Sequence, residues 1–378
     1  MLKISSNYKT QANFIKAYNS ISEQVKEEPV VFKSYKSFVN YLGLPNLTNK
    51  TSQKNKQLNK LSEFFEFKRS GNSFIINAVK IPITIPPVYS LAEMTEKDIA
   101  PTFKLLNNYL ILKLLKDHYN FTKENILVNS KKTLATELGY INPLFSKVSY
   151  SYETVADAFE IPYELSRSFF EVVSRSYGSL IEKSLEELQS YGLIAYQNVF
   201  YGRHHSTVVN SSNEIIQRKS VWGRLTDEEL KIYVHAINEF YKLHGILTMQ
   251  DVFLKGLKKE FYAFVDEYME SAAGISGVVK MIEIVFDNEL IERCLKDTRV
   301  LVDITKEKAF LNCKFIEKQI KNFESREKNK KDMLNVGWGT MKMLELSPKE
   351  RLSKFKSMCN ALLSLNFNTE QLLFMDFI

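Results

Sequence analysis

Apolar residues recur at helical spacing along most of the chain and alternate in a few short stretches. Tyr35, Phe38, Val39 and Leu42 fall at i, i+3, i+4 and i+7, which predicts a short helix closed by Gly43 and the turn Leu44-Pro45-Asn46. With Thr51 or Ser52 as N-cap, Leu58, Leu61, Phe64 and Phe65 mark the buried face of a second helix. Phe65-Glu66-Phe67 then alternates, Ser70-Gly71-Asn72 turns and Phe74-Ile75-Ile76 forms a buried strand, the signature of a hairpin. Upstream, residues 1–29 read as a polar arm with one short helix around Gln11 to Gln24. Downstream, Ile81 to Pro87 holds three prolines in seven residues and places a domain boundary near residue 82.

Beyond the boundary the periodicity is again helical. Phe103, Leu106, Leu110 and Leu114 mark one helix, Asn129-Ser130 caps another, and Glu153–Phe159 and Tyr163–Val173 follow. The stripe Tyr177, Leu180, Ile181, Leu185 and Leu188 ends at Gly192, and Leu193–Tyr196 with Val199–Tyr201 begin a strand. Gly202-Arg203-His204-His205 reads as a basic turn, and Ser206–Asn210 as the strand that returns. A helix that stops at glycine and feeds two strands is how a winged helix-turn-helix ends. After Trp222, Thr226 and Glu229 form a capping box, and the remainder reads as helices broken at 274–277 and 337–339. The expected fold is mainly α, with two winged-helix-like modules at 30–82 and about 125–212. The expected domains are the arm 1–29, 30–82, 83–224, and a helical interaction or oligomerisation region 225–378.

Charge changes this picture at one place. The chain has 51 Lys and Arg against 44 Asp and Glu, a net +7. Between Val30 and Lys80 stand nine basic residues, opposed only by Glu63 and Glu66. That segment carries the whole excess. A second cluster, Lys314 to Lys331, is interleaved with Glu317, Glu324 and Glu327 and reads as a solvated helix face. Only ten of the basic residues are Arg, a lysine bias that fits an AT-rich genome. No run of 18 apolar residues exists, the start MLKISSNYKTQ lacks the apolar core of a signal peptide, and a cytoplasmic protein without a membrane partner is expected. Cys294, Cys313 and Cys359 are widely spaced, which argues against a disulfide framework or a zinc site.

Motifs for catalysis are missing. There is no GxxxxGK[ST] phosphate loop and no HExxH pair. His204 and His205 are adjacent, so on a strand they point to opposite faces and do not share a metal. No His is followed by Arg at the third position, as tyrosine recombinases require. His235 lies at helical spacing near Ile232 and Phe240 and reads as a structural histidine. The expectation is a protein that is not an enzyme and needs no cofactor or metal.

The stretch from Tyr35 through Asn49-Lys50 and Gln57-Leu58 to FEFKRSGNSFIINAV resembles the N-terminal module of DNA-binding or replication-associated proteins of phages, plasmids and integrated elements of low-GC Gram-positive bacteria. Thr133 through Leu138-Gly139-Tyr140-Ile141-Asn142 to Gly192-Leu193-Ile194, and Leu225-Thr226-Asp227-Glu228-Glu229, are similar to the same group. The resemblance implies a class and no reaction. Together these readings suggest a sequence-specific double-stranded DNA-binding protein, most simply a regulator of transcription. The alternatives are a plasmid or phage replication initiator that binds origin repeats and recruits replication proteins, and a nuclease. The candidate contacts are Lys50, Lys54, Asn55, Lys56, Asn59, Lys60, Lys68 and Arg69, with Arg175, Lys183 and Arg203 added by the second module. Lys and Arg meet phosphates, whereas Asn55 and Asn59 suit adenine edges. A homo-oligomer, or a protein partner held by residues 225–378, is also expected.

Overall fold

The computed structural model describes residues 8–80, 96–149, 151–209, 215–297, 304–329 and 346–365. The chain divides into two units, 1–196 with 284–378, and 197–283.

Residues 8–80 of the first unit contain α1 (Tyr8–Gln24), β1 (Val30–Phe32), α2 (Tyr35–Tyr41), α3 (Thr51–Phe64), β2 (Phe65–Ser70) and β3 (Ser73–Val79). The strands form an antiparallel sheet in the order β1-β3-β2, with Val30 and Phe67 both opposite Ile76. Ser34 starts α2 through a capping box with Ser37. Phe14 and Ile21 of α1, Phe38 of α2, and Leu58, Leu61 and Phe64 of α3 are buried with Phe65, Phe74 and Ile76. The Phe38 ring lies 5.1 to 5.8 Å from the rings of Phe32, Phe65, Phe67 and Phe74. At about 1.5–3 kcal/mol for each buried side chain of this size, these aromatics hold the small layer together. The segment 8–24 therefore supplies core residues, which its polar composition hid.

The body of the first unit continues with α4 (Glu96–Thr122), β4 (Ile126–Asn129), α5 (Lys131–Glu137), α6 (Pro143–Val148), α7 (Tyr152–Phe159) and α8 (Tyr163–Ser190). Next come β5 (Ile194–Val209), β6 (Ile215–Arg224), α9 (Asp227–Leu243), α10 (Met249–Leu254), α11 (Lys258–Ala273) and β7 (Ile275–Phe286), most of which make up the second unit. Its core gathers Leu225, Ala236, Phe240, Val252, Phe261, Val265, Met269 and Ile275. The sheet order is β4-β7-β5-β6. The chain then closes the first unit with α12 (Asn288–Asp297), α13 (Ile304–Asn329) and α14 (Pro348–Leu362). Buried Asn312 of α13 donates to the carbonyls of Gly139, Tyr140 and Leu363 at 3.2, 3.2 and 2.9 Å, and its Oδ1 accepts from the Leu365 amide at 3.1 Å.

This architecture corrects the mainly α fold of two winged-helix-like modules followed by a helical C-terminal region. Helices make up 64% of the described structure, but two antiparallel sheets, one of three and one of four strands, make it a mixture of α and β. Two glycines explain the difference. Gly202 is not in a turn: β5 runs unbroken from Ile194 to Val209 and pairs with β6 from Tyr201 opposite Arg224 onward. A Cβ at Gly202 would lie 2.3 Å from Ile275 Cγ2 and 3.0 Å from Leu225 Cδ2, so glycine is there for close approach. Gly274, with φ +67, ends α11 in the left-handed conformation and launches the twelve-residue β7, inside the region expected to be helical.

Candidate nucleic-acid interface

The exposed face of α3 follows from its buried one. With Leu58, Leu61 and Phe64 turned into the core, Asn55, Lys56 and Asn59 are exposed on the opposite side. Lys50, at the N-cap position, is exposed as well. Lys54 is half-buried instead, its Nζ 4.7 Å from the centre of the Tyr35 ring, and Lys60 is half-buried too. Tyr35 donates to the side chain of Gln57, and Gln57 Nε2 donates to the Pro45 carbonyl at 3.2 Å. Burial raises the Tyr35 phenol above its ordinary pKa, so it remains a donor. These bonds fix the orientation of α3. At the other end, Lys80 Nζ donates to the Ser62 carbonyl at 3.0 Å, and Tyr18 OH donates to the Lys80 carbonyl at 2.7 Å.

The hairpin continues directly from α3. Ser70 pairs with Ser73 across Gly71-Asn72, and Gly71 has φ +59, the backbone a two-residue hairpin loop of this kind requires. Lys68 and Arg69 are exposed near the tip, with the Arg69 guanidinium 5.1 Å from the Phe74 ring centre. Among the described residues, Lys50, Lys56, Lys68 and Arg69 form no ion pair. One helix and the hairpin that follows it thus carry eight of the sequence candidates on a common aromatic core.

The other three stand apart from this layer. Arg175 and Lys183 are exposed on α8, and Arg203 is exposed on β5 in the second unit, 5.2 Å from the ring centre of Trp222. His204 Nδ1 lies 3.6 Å from Glu229 Oε1, and His205 Nε2 lies 2.7 Å from Ser276 Oγ, so the two imidazoles have separate partners. His235 is exposed, its ring 5.8 Å from that of Tyr268. Sequence reasoning passes over Trp222. Ser220-Val221-Trp222-Gly223-Arg224 lacks the strict apolar–polar alternation that marks a strand, so no local pattern points to it.

A cavity of about 230 Å³ lies in the first unit, lined by Tyr18 and Ser22 of α1, Tyr119 of α4, and Asp287, Leu290 and Arg293 at the start of α12. Burial raises the pKa of the Tyr18 phenol and of Asp287, with Arg293 opposing both shifts. Asp287 Oδ1 accepts from the Leu290 amide at 2.7 Å, which spends the carboxylate on starting α12. Among the described residues no group of three His, Cys, Asp or Glu is placed to hold a metal, and no helix is long and apolar enough to cross a membrane. Comparisons with family models, with curated proteins and with solved structures find no match.

Proposed function

We propose that the chain binds duplex DNA without catalysis, through the open face of α3 and the β2–β3 hairpin. The observation that carries this reading is the exposed row of Lys50, Lys56, Lys68 and Arg69, which no carboxylate among the described residues neutralises, in a segment that holds the whole net positive charge. A fixed helix with exposed Asn55 and Asn59 between cations matches what a major groove offers: phosphates at its rims and adenine edges on its floor. In this reading Lys54 and Lys60 support the helix from its margins, Arg175 and Lys183 add contacts, and the protein acts as a sequence-specific regulator of a mobile genetic element.

The test measures full-length protein on duplex DNA across a range of salt. Lys56→Ala, Lys68→Ala and Arg69→Ala combined should lower the salt slope by about 3, near 0.9 for each phosphate no longer neutralised, with thermal stability nearly unchanged. Asn55→Ala or Asn59→Ala should cost about 1–3 kcal/mol at the preferred site alone. Unchanged affinity and slope in the triple variant would refute the proposal.

A further inference from the structure

We infer that the open face of the β5–β6 ribbon in the second unit binds an unpaired DNA strand, with Trp222 as the surface on which a base stacks. The register places Tyr201, Arg203 and His205 of β5 opposite Arg224, Trp222 and Ser220 of β6. Their neighbours Phe200, Gly202 and His204 turn the other way, toward Tyr233, Ile275 and Glu229. The two sets alternate, as strand geometry requires, so the first set shares the face away from the helices. On it, the Trp222 indole reaches across the sheet until its Cη2 lies 3.6 Å from where Gly277 would carry a Cβ. The residue remains 46% exposed with the Arg203 guanidinium against its ring.

A large aromatic lying along a sheet, partly open to solvent and flanked by cations, matches the platform on which single strands stack. Charge supports an anionic occupant: by the same alternation Arg203 and Arg224 lie on this face, in a stretch, residues 197–224, whose one acidic residue in sequence is Glu214. Arg224 is held by Glu283 at 2.9 Å, and Gln197 donates to the same carboxylate at 2.9 Å. Arg203 has no ion-pair partner among the described residues and is the cation left for a phosphate. A duplex does not suit this face, because its bases are stacked on each other and show only their edges. The choice of DNA over RNA rests on the duplex-binding proposal; the stacking site itself does not.

The chain has two tryptophans, so Trp338→Phe leaves Trp222 as the sole indole and its emission reports on this face. Titrating full-length Trp338→Phe protein with a 20-nucleotide oligo(dT) should quench that emission in a salt-dependent way. Trp222→Leu and Arg203→Ala should each weaken oligo(dT) binding, followed by anisotropy of a labelled oligonucleotide, at least about fivefold. Trp222→Leu should leave intact the duplex affinity that depends on Lys56, Lys68 and Arg69. Absence of quenching with saturating oligo(dT), or undiminished binding by Trp222→Leu, overturns the inference. So does tighter binding of oligo(U), or an equal response to anionic phospholipid vesicles. Loss of duplex binding with oligo(dT) quenching retained refutes the proposed function and leaves this face standing.

Discussion

Gly202→Ala is the sharpest test of the second unit. The residue pairs with Gly223 of β6 within a continuous ladder, so β5 is not free to retreat. The new methyl carbon would sit 2.3 Å from Ile275 Cγ2, about 1 Å inside the closest comfortable contact, and 3.0 Å from Leu225 Cδ2. Both neighbours are buried in the core that Phe240, Phe261 and Met269 fill, so neither has open space to move into. Overpacking of this kind costs about 1–3 kcal/mol. Alanine also lowers the entropy of the unfolded chain, worth about 0.4–1 kcal/mol in the opposite direction, because Gly202 does not have a positive φ. The net loss is about 1–2 kcal/mol, read as a lower urea midpoint at constant slope by the emission of Trp222 in Trp338→Phe protein. Two further variants isolate the contact. Ile275→Ala removes Cγ2 and should relieve the clash, so that the double variant is at least about 1 kcal/mol more stable than the sum of the single losses. Ile275→Val keeps Cγ2 and should relieve nothing. A Gly202→Ala protein as stable as the parent would show that the close approach does not constrain this sheet.

Further variants address the first unit. Arg351 and Glu327 pair at 2.6 Å with side chains only 6% and 7% exposed; Arg351→Met should cost about 3–5 kcal/mol in chemical denaturation, and adding Glu327→Leu should restore much of it. Glu160 ends α7 with φ 50 and an exposed side chain, so Glu160→Gly should raise stability by about 0.5–1 kcal/mol, seen as a higher melting temperature. Burial raises the Asp287 pKa, so the stability this carboxyl contributes is complete below its unfolded pKa and is lost as pH rises through the folded one. Asp287→Asn, which can still accept from Leu290, should therefore melt higher than the parent at pH 7, with the gap closing toward pH 4.

The elements legible in the sequence are those that local chemistry determines. The helix from Tyr35, the helix with Leu58 and Leu61 inward, the hairpin around Gly71 and the Thr226–Glu229 capping box each need only a few neighbouring residues to specify them. What was not legible depends on partners distant in sequence. Gly202 resembles a turn glycine until Ile275, more than seventy residues later, is seen against it. β1, three residues long, becomes a strand only by pairing with β3. The same limit holds for the candidate contacts. Lys54 and Lys56 are both lysines on one helix, and only the position of Tyr35 decides that the first lies against a ring while the second is open to solvent.

The two proposed nucleic-acid surfaces would make opposite demands on DNA, and that opposition bears on the proposed function. Side chains on α3 can reach base edges only where the duplex is intact, because the groove that presents them exists only between paired strands. A base can lie on Trp222 only after it has left its own stack, at a cost of a few kcal/mol per unstacked step. A regulator that holds a promoter closed has no use for the second surface. A protein that anchors on duplex repeats and keeps an adjacent separated strand from re-pairing needs both. If oligo(dT) and duplex bind the same molecule together, each without displacing the other, the balance moves from the regulator toward an initiator of replication. Competition between them would instead mean one shared site, and the assignment of stacking to Trp222 would fail with it.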